Sequence, residues 1–239
     1  MGSAAGRVAV VIPTFNEAES IAAVIAELPR NVVGRIVVAD GGSTDGTAEL
    51  ARRAGAEVVS VGRGYGLACL AGAKAAADAD IIVFMDGDGA DDPAAIAALV
   101  APIEDGRFDF VIASRARGDR QPGSMAWHQI AAGLLAGWLT KALYGVRYTD
   151  MCAFRAIRRE TLLALGMCEM TYGWNLEMQM RAARSGLRVL ELPVDYRRRF
   201  GGTSKVAGSL RGSIVAGLKI MSTFARVATE SSAPPSKSC

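Results

Sequence analysis

The sequence predicts an α/β fold built on a mostly parallel, Rossmann-like central sheet flanked by helices, and three observations carry that expectation. Short β-rich runs alternate with helical patterns through the first half of the 239-residue chain. The runs are near-continuous in Val and Ile rather than strictly alternating, as in strands covered on both faces. The polar motifs follow directly after strands, at the carboxyl ends where open α/β sheets hold ligands.

The elements follow in order. "RVAVVIP" (7–13), "RIVVA" (35–39), "EVVSV" (57–61), "DIIVFMD" (80–86) and "FDFVIAS" (108–114) read as strands. Residues 17–28, 45–54, 66–77 and 93–101 between them read as helices. The second half changes character. Residues 127–143, "WHQIAAGLLAGWLTKAL", form a helix too apolar for a fully solvated surface. A helix over 172–185, a strand "RVLELPV" (188–194), a basic loop "YRRRFGGTSK" (196–205) and a helix over 209–228 follow. These C-terminal helices would form the second side of a cleft. The tail 229–239, rich in Ser and Pro, reads as disordered. The expectation is one domain over 1–228, with a ligand-binding half to about residue 115 and a second half beyond it.

Composition narrows the classes. Half the residues are apolar, enough for a substantial core. Residues 1–110 carry 16 acidic and 8 basic side chains, and residues 111–239 carry 8 and 19, a swing from −8 to +11. A cation site facing an anion site would produce such a swing. The four cysteines, Cys69, Cys152, Cys168 and Cys239, show no CxxC or zinc spacing and read as reduced thiols of a cytoplasmic protein. No signal peptide pattern is apparent, and no apolar run reaches the ~18 residues of a spanning helix.

The motifs divide into structural and chemical. In "DGDGADDP" (86–93), Asp92 precedes Pro93 and reads as a helix cap. Asp86 and Asp88 leave a buried strand with one glycine between them, a platform for Mg²⁺ or Mn²⁺ shared with substrate phosphates. "GGSTDGT" (41–47) is a loop with capping residues. Asp40 ends an apolar strand and could accept hydrogen bonds from a nucleobase. "GRGYG" (62–66) offers glycines for close backbone approach and Arg63 for a nucleotide phosphate. It is not GxGxxG and follows the third strand, which argues against an NAD-type site.

Taken together, "VVIPTFNEAESI", "VVADGGSTDGT", "GRGYGLACLAG", "MDGDGADDP", "VIASR", "YTDMCAFRAI" and "RRRFGGTSK" resemble, in this order, family 2 glycosyltransferases of the GT-A fold, closest to the dolichol-phosphate mannose and glucose synthase-like branch. The resemblance spans about residues 7–225. It implies an inverting hexosyltransferase using a UDP- or GDP-linked donor and a polyprenyl phosphate acceptor. Pro13, Asn16, Glu17 and Asp40 match the nucleoside positions, and Asp86 and Asp88 match the Asp-x-Asp that holds metal and diphosphate. Arg115, Arg199, Ser204 and Lys205 match phosphate-binding positions. Asp150 matches the acceptor-side aspartate. Two departures stand out: Asp40, Gly41, Gly42 and Ser43 replace a frequent DDGS, and Met151, Cys152 and Ala153 replace a usual Ser-Gly or Gly-Pro.

A transfer to a hydroxyl would need a base. Asp150 and Glu177 are the candidates for it, although Glu177 also stands four residues before Arg181, the spacing of a helical ion pair. His128 reads as structural. Hydroxyl acceptors on a lipid or small metabolite, and a catalytically silent nucleotide-sugar binding module, are the alternatives. The basic loop suits phosphate better than nucleic acid. The helices at 127–143 and after Lys205 could lie on the cytosolic face of a membrane, or form core or a homodimer face.

Overall fold

The computed structural model describes residues 7–125, 127–201 and 210–230. The chain folds around one seven-stranded sheet: β1 (Val8–Thr14), β2 (Arg35–Asp40), β3 (Glu57–Ser60), β4 (Ile81–Phe84), β5 (Phe110–Ser114), β6 (Arg155–Arg158) and β7 (Val189–Pro193). Their order is β3-β2-β1-β4-β6-β5-β7. Every neighbouring pair is parallel except the two that β6 makes, with β4 and with β5. The carboxyl ends of β1, β2, β4, β5 and β7 and the amino end of β6 therefore share one edge.

Burial explains the sheet. Val8 to Ile12 of β1 and Ile82 and Val83 of β4 are fully buried, since helices cover both faces. These are α1 (Ile21–Glu27), α2 (Thr47–Arg53), α3 (Tyr65–Ala75) and α4 (Ile96–Glu104). Helix α1 buries Ile21, Val24 and Ile25, the i, i+3, i+4 face of an amphipathic helix. It starts later than expected because residues 17–20 form turns. Helix α4 runs through Pro102 to Glu104, past the expected stop at 101. Buried Leu99, Val100 and Ile103 hold that last stretch against the sheet.

The second half supplies α5 (Trp127–Tyr144), α6 (Arg159–Ala164), α7 (Trp174–Arg184) and α8 (Leu210–Thr229). The sequence reading missed β6 and α6. Glu230, expected in a disordered tail, instead pairs with Arg181, Arg184 and Arg226 and holds the end of α8 on α7. Cys69 and Cys152 are free, buried thiols. Cys168 is disulfide-bonded, which corrects the reduced-thiol expectation at that position. No described helix is long and apolar enough to cross a membrane.

Of two glycines in α5 that face the loop before β6, one sets how closely the helix approaches it. A Cβ at Gly137 would collide with the Tyr148 carbonyl oxygen, whereas one at Gly133 would lie an ordinary 3.5 Å from the Thr149 carbonyl oxygen. Gly137→Ala should cost about 1–3 kcal/mol in denaturant unfolding through overpacking. Gly133→Ala should be neutral or mildly stabilising, because alanine favours the helix by up to ~1 kcal/mol. Equal effects would show that α5 is not seated on this loop.

Candidate active site

The cleft at the shared edge has three parts. On the side of β1 and β2, two loops are laced together by hydrogen bonds. Asn16, the one described non-glycine residue with positive φ (53°), donates its N–H to Ser43 Oγ (2.8 Å) and accepts from the Thr44 N–H through Oδ1 (2.9 Å). The Glu17 N–H donates to Thr47 Oγ1 (2.9 Å), and the Ala18 N–H to Asp45 Oδ2 (3.1 Å). Asp40 accepts from the N–H groups of Gly42 and Ser43 and from the hydroxyls of Thr14 and Ser43. Only 4% of it is exposed, so its carboxylate builds the turn. Pro13 sits beside Ala39 in the sheet. Arg63 stacks on the Phe15 ring, 3.9 Å from its centroid.

Two of the glycines of "GRGYG" are required by packing within the protein. Side chains at Gly64 or Gly66 would strike the backbone at Glu169 and Met170, to which the Leu67 N–H is bonded (3.0 Å).

The second part follows β4. Asp86 leaves the strand partly buried, and its N–H donates to Asp91 Oδ2 (3.2 Å). Asp88 is 5% exposed; its Oδ1 accepts from the Ala90 N–H (2.9 Å) and its Oδ2 pairs with Arg199 Nη2. The start of α1 fixes this loop from below through Ser20 Oγ, which donates to the Gly87 carbonyl (2.7 Å). The basic loop lies across it. N–H groups of Arg197 and Phe200 donate to the carbonyls of Ala90 and Asp88 (2.9 Å each). Arg197 also pairs with Asp92 and Glu27. Asp92 caps the 3₁₀ turn Pro93–Ala95 by accepting from the Ala94 N–H (3.1 Å), as expected.

Crowding has an electrostatic consequence. Burial, and then the neighbouring Asp88, push the Asp86 carboxyl up from 3.8 to about 7. Burial and both aspartates push Asp91 well above the usual carboxylate range. Arg115 and Arg199 oppose the shift at Asp86 without cancelling it. The Nη1 atom of Arg199 is buried with no partner among the described residues. Two hard carboxylates beside an unsatisfied guanidinium fit a divalent cation bound together with a phosphate. No group of three metal-binding side chains occurs among the described residues, so substrate oxygens and water would complete the shell.

The third part joins β5 to the loop before β6. Asp150, 3% exposed, takes Arg115 in a two-pronged grip: Nε to Oδ2 and Nη2 to Oδ1, both 2.8 Å. The Arg115 N–H adds a third bond to Oδ2 (3.0 Å). The same guanidinium lies 5.0 Å over the Tyr196 ring, and Tyr196 bridges the strand segment at Asp91. Glu177 is elsewhere. Its fully buried carboxylate binds Arg181 and Arg226 and accepts from the N–H groups of Cys168 and Glu169. That corrects the expectation of a catalytic Glu177: the i+4 ion pair is its place, and it pins α7 to α8.

The structure thus brings together Pro13, Asn16, Glu17, Asp40 and Arg63 on one side, and Asp86, Asp88, Arg115, Asp150 and Arg199 on the other. Ser204 and Lys205 lie outside the described residues. Sequence reasoning missed Phe15, Asp91 and Tyr196. Asp91 was visible in the quoted aspartate cluster, and Tyr196 stands immediately before the arginine run.

One antiparallel strand within a Rossmann-like sheet, with Asp-x-Asp directly after β4, is the architecture of the GT-A fold. The chain belongs to glycosyl transferase family 2, whose sequence profile matches residues 9–166. It is 41% identical over 217 residues to an uncharacterized glycosyltransferase of Mycobacterium tuberculosis, covering 89% of this chain and 95% of that one. It is 32% identical over 228 residues to the undecaprenyl-phosphate mannosyltransferase of Micrococcus luteus, covering 87% and 91%. Glucosyl-3-phosphoglycerate synthase of Mycobacterium tuberculosis, solved with Mn²⁺, UDP and phosphoglyceric acid, superposes with a TM-score of 0.71 at 24% identity, over 94% of this chain and 79% of that one. That likeness bears on the fold.

The shift of Asp86 makes a pH prediction. The folded protein keeps a proton there between about 4 and 7 that the unfolded chain has released. This group therefore makes metal-free stability fall as pH rises through that window. A cation needs the ionised form, so apparent Mn²⁺ affinity, followed by calorimetry, should rise about tenfold per pH unit up to about 7 and then level off. A flat profile from pH 5 to 8 would contradict the assignment.

Proposed function

We propose that the protein is an inverting, divalent-metal-dependent hexosyltransferase that carries a sugar from a nucleoside diphosphate donor to a polyprenyl phosphate. The observation that carries the acceptor reading is the grip of Asp150 on Arg115. Both oxygens of Asp150 are engaged, and Glu177 is sealed in an ion cluster. Neither carboxylate is placed to take a proton from a hydroxyl. An ionised phosphate needs no such base. The Micrococcus luteus relative, an undecaprenyl-phosphate mannosyltransferase, agrees with this reading.

In this mechanism the nucleoside rests on the laced loops of Asn16 and Asp40, with Arg63 and Phe15 at the rim. A Mg²⁺ or Mn²⁺ ion held by Asp86 and Asp88 would neutralise charge on the diphosphate. Arg199 offers its free Nη1 hydrogens to the same group. An oxygen of the acceptor phosphate attacks the anomeric carbon from the face opposite the diphosphate. A carbon–oxygen bond forms as the bond to the leaving diphosphate breaks, and the configuration inverts. Charge grows on the leaving group as the bond opens, so fixed guanidinium groups beside it favour the transition state over the ground state. Arg115, immobilised by Asp150, presents its positive edge between the two phosphates.

The outer face of α5 supports docking at a membrane surface, where a lipid acceptor resides. Trp127 is 79% exposed and Trp138 62%, with Leu134 and Leu135 between them. An exposed indole-rich helix face beside a basic half of the chain suits an anionic interface. We place the enzyme at the cytosolic face of that membrane.

Two assays test this reading. With labelled UDP-glucose or GDP-mannose and undecaprenyl phosphate, Asp150→Asn and Arg115→Ala should each lower transfer by roughly 10²-fold, and the double variant no further. An Arg115→Ala enzyme that stays active while Asp150→Asn is dead would instead make Asp150 a base and favour a hydroxyl acceptor. The protein should also sediment with anionic liposomes, less so after Trp138→Glu. Sedimentation untouched by that change would discard α5 as the docking helix.

A further inference from the structure

Glu191 stands on β7, an edge strand, in register with Ile112 of β5. A carboxylate half-buried at that point meets none of the donor-side chemistry, yet it is heavily engaged. Its Oε1 and Oε2 both accept from the Thr149 N–H (2.8 and 3.1 Å), and Oε2 accepts from the Thr149 hydroxyl (3.0 Å). With its one hydrogen given to Glu191, the Thr149 hydroxyl must accept from Ser114 Oγ (2.7 Å), which ends β5 one residue before Arg115. Arg117 closes the far side by donating to the Glu191 carbonyl (3.1 Å).

These bonds form a chain of contacts with a direction. Glu191 fixes the backbone of Thr149; the residue next to it, Asp150, grips Arg115, and Arg115 lies over Tyr196 beside the aspartates. We propose that Glu191 is a positioning residue of the transfer site, holding the Asp150–Arg115 pair at the angle from which the acceptor side faces the donor diphosphate. The bonds of Glu191 run to Thr149 and Arg117 rather than to the Asp40 turn or the Asp86–Asp88 loop, so its loss should affect transfer and spare donor binding. The proposal rests on the reading above only for the step affected; the geometry of the loop is independent of it.

The proposal separates Glu191 from a general stabiliser. Misplacing a reacting group by about 1 Å can cost up to ~10²-fold in rate. Glu191→Ala should lower kcat about 10- to 100-fold while donor KM and the nucleotide-induced rise in Tm stay within about twofold. Glu191→Gln, which keeps an oxygen able to accept from Thr149, should recover much of that loss. In Glu191→Ala the Asp150→Asn change should add little, because the two act on one pair. Wild-type kcat in Glu191→Ala, or losses that multiply in the double variant, would overturn the proposal.

A second measurement needs no acceptor. Amide hydrogen exchange in Glu191→Ala should quicken about tenfold or more over residues 148–154 and remain unchanged over 81–91. Unchanged exchange at 148–154 would overturn the proposal whatever the acceptor proves to be. A wild-type enzyme inactive on every polyprenyl phosphate, with exchange quickened as expected, would overturn only the acceptor reading.

Discussion

Carboxylates packed at the end of a buried strand repel one another, and the arrangement of the cleft answers that repulsion. Asp86, Asp88 and Asp91 lie within one tight loop, where burial and neighbouring charge favour the protonated forms of Asp86 and Asp91. Two guanidinium groups are brought from distant parts of the chain to oppose them, Arg115 from the end of β5 and Arg199 from the loop after β7. They do not fully compensate, and that deficit would favour the cation proposed for this site. The loop can be built at all because Gly87 and Gly89 let Thr14 and Phe200 close over it.

Sheet topology converts this local balance into a two-sided cleft. Because β6 alone runs antiparallel, its leading loop arrives at the same edge as the ends of β1, β2, β4, β5 and β7. Asp150 can then reach Arg115 across 35 residues of sequence. The charge swing between the halves of the chain has its counterpart here: acidic residues of the first half line one wall, and arginines of the second half close it. Helices α5, α7 and α8 stand behind the second wall. They are fixed by the Gly137 contact and by the ion cluster around Glu177, which shows how a residue placed near an active centre by sequence can belong to its scaffold.

Much of this was legible beforehand, for physical reasons. Strands β1, β2 and β4 announce themselves by Val and Ile runs, and the Asp-x-Asp by its place after one of them. Strand β6 does not, because it is four residues long and begins with Arg155. That arginine is fully buried and spends its hydrogens on the carbonyls of Cys152, Ala153 and Asn175, contacts no periodicity reveals. Glu177 carried both a structural and a chemical signal, and only the three-dimensional position of Arg226, 49 residues away, decides between them. Asp40 reads as a nucleobase acceptor in sequence, while its four hydrogen bonds inside the turn appear only on folding.

The claim on which the rest turns is that the aspartate loop holds a metal together with a nucleoside diphosphate. A thermal-shift titration of UDP, GDP and NAD, with and without Mn²⁺, on the native chain and on Asp88→Ala tests it most directly, since a ligand that binds the folded state raises Tm. The account predicts a Mn²⁺-dependent rise with one nucleoside diphosphate that disappears in the variant. No rise with either nucleoside diphosphate, a rise with NAD alone, or a rise that Asp88→Ala retains in full would contradict it.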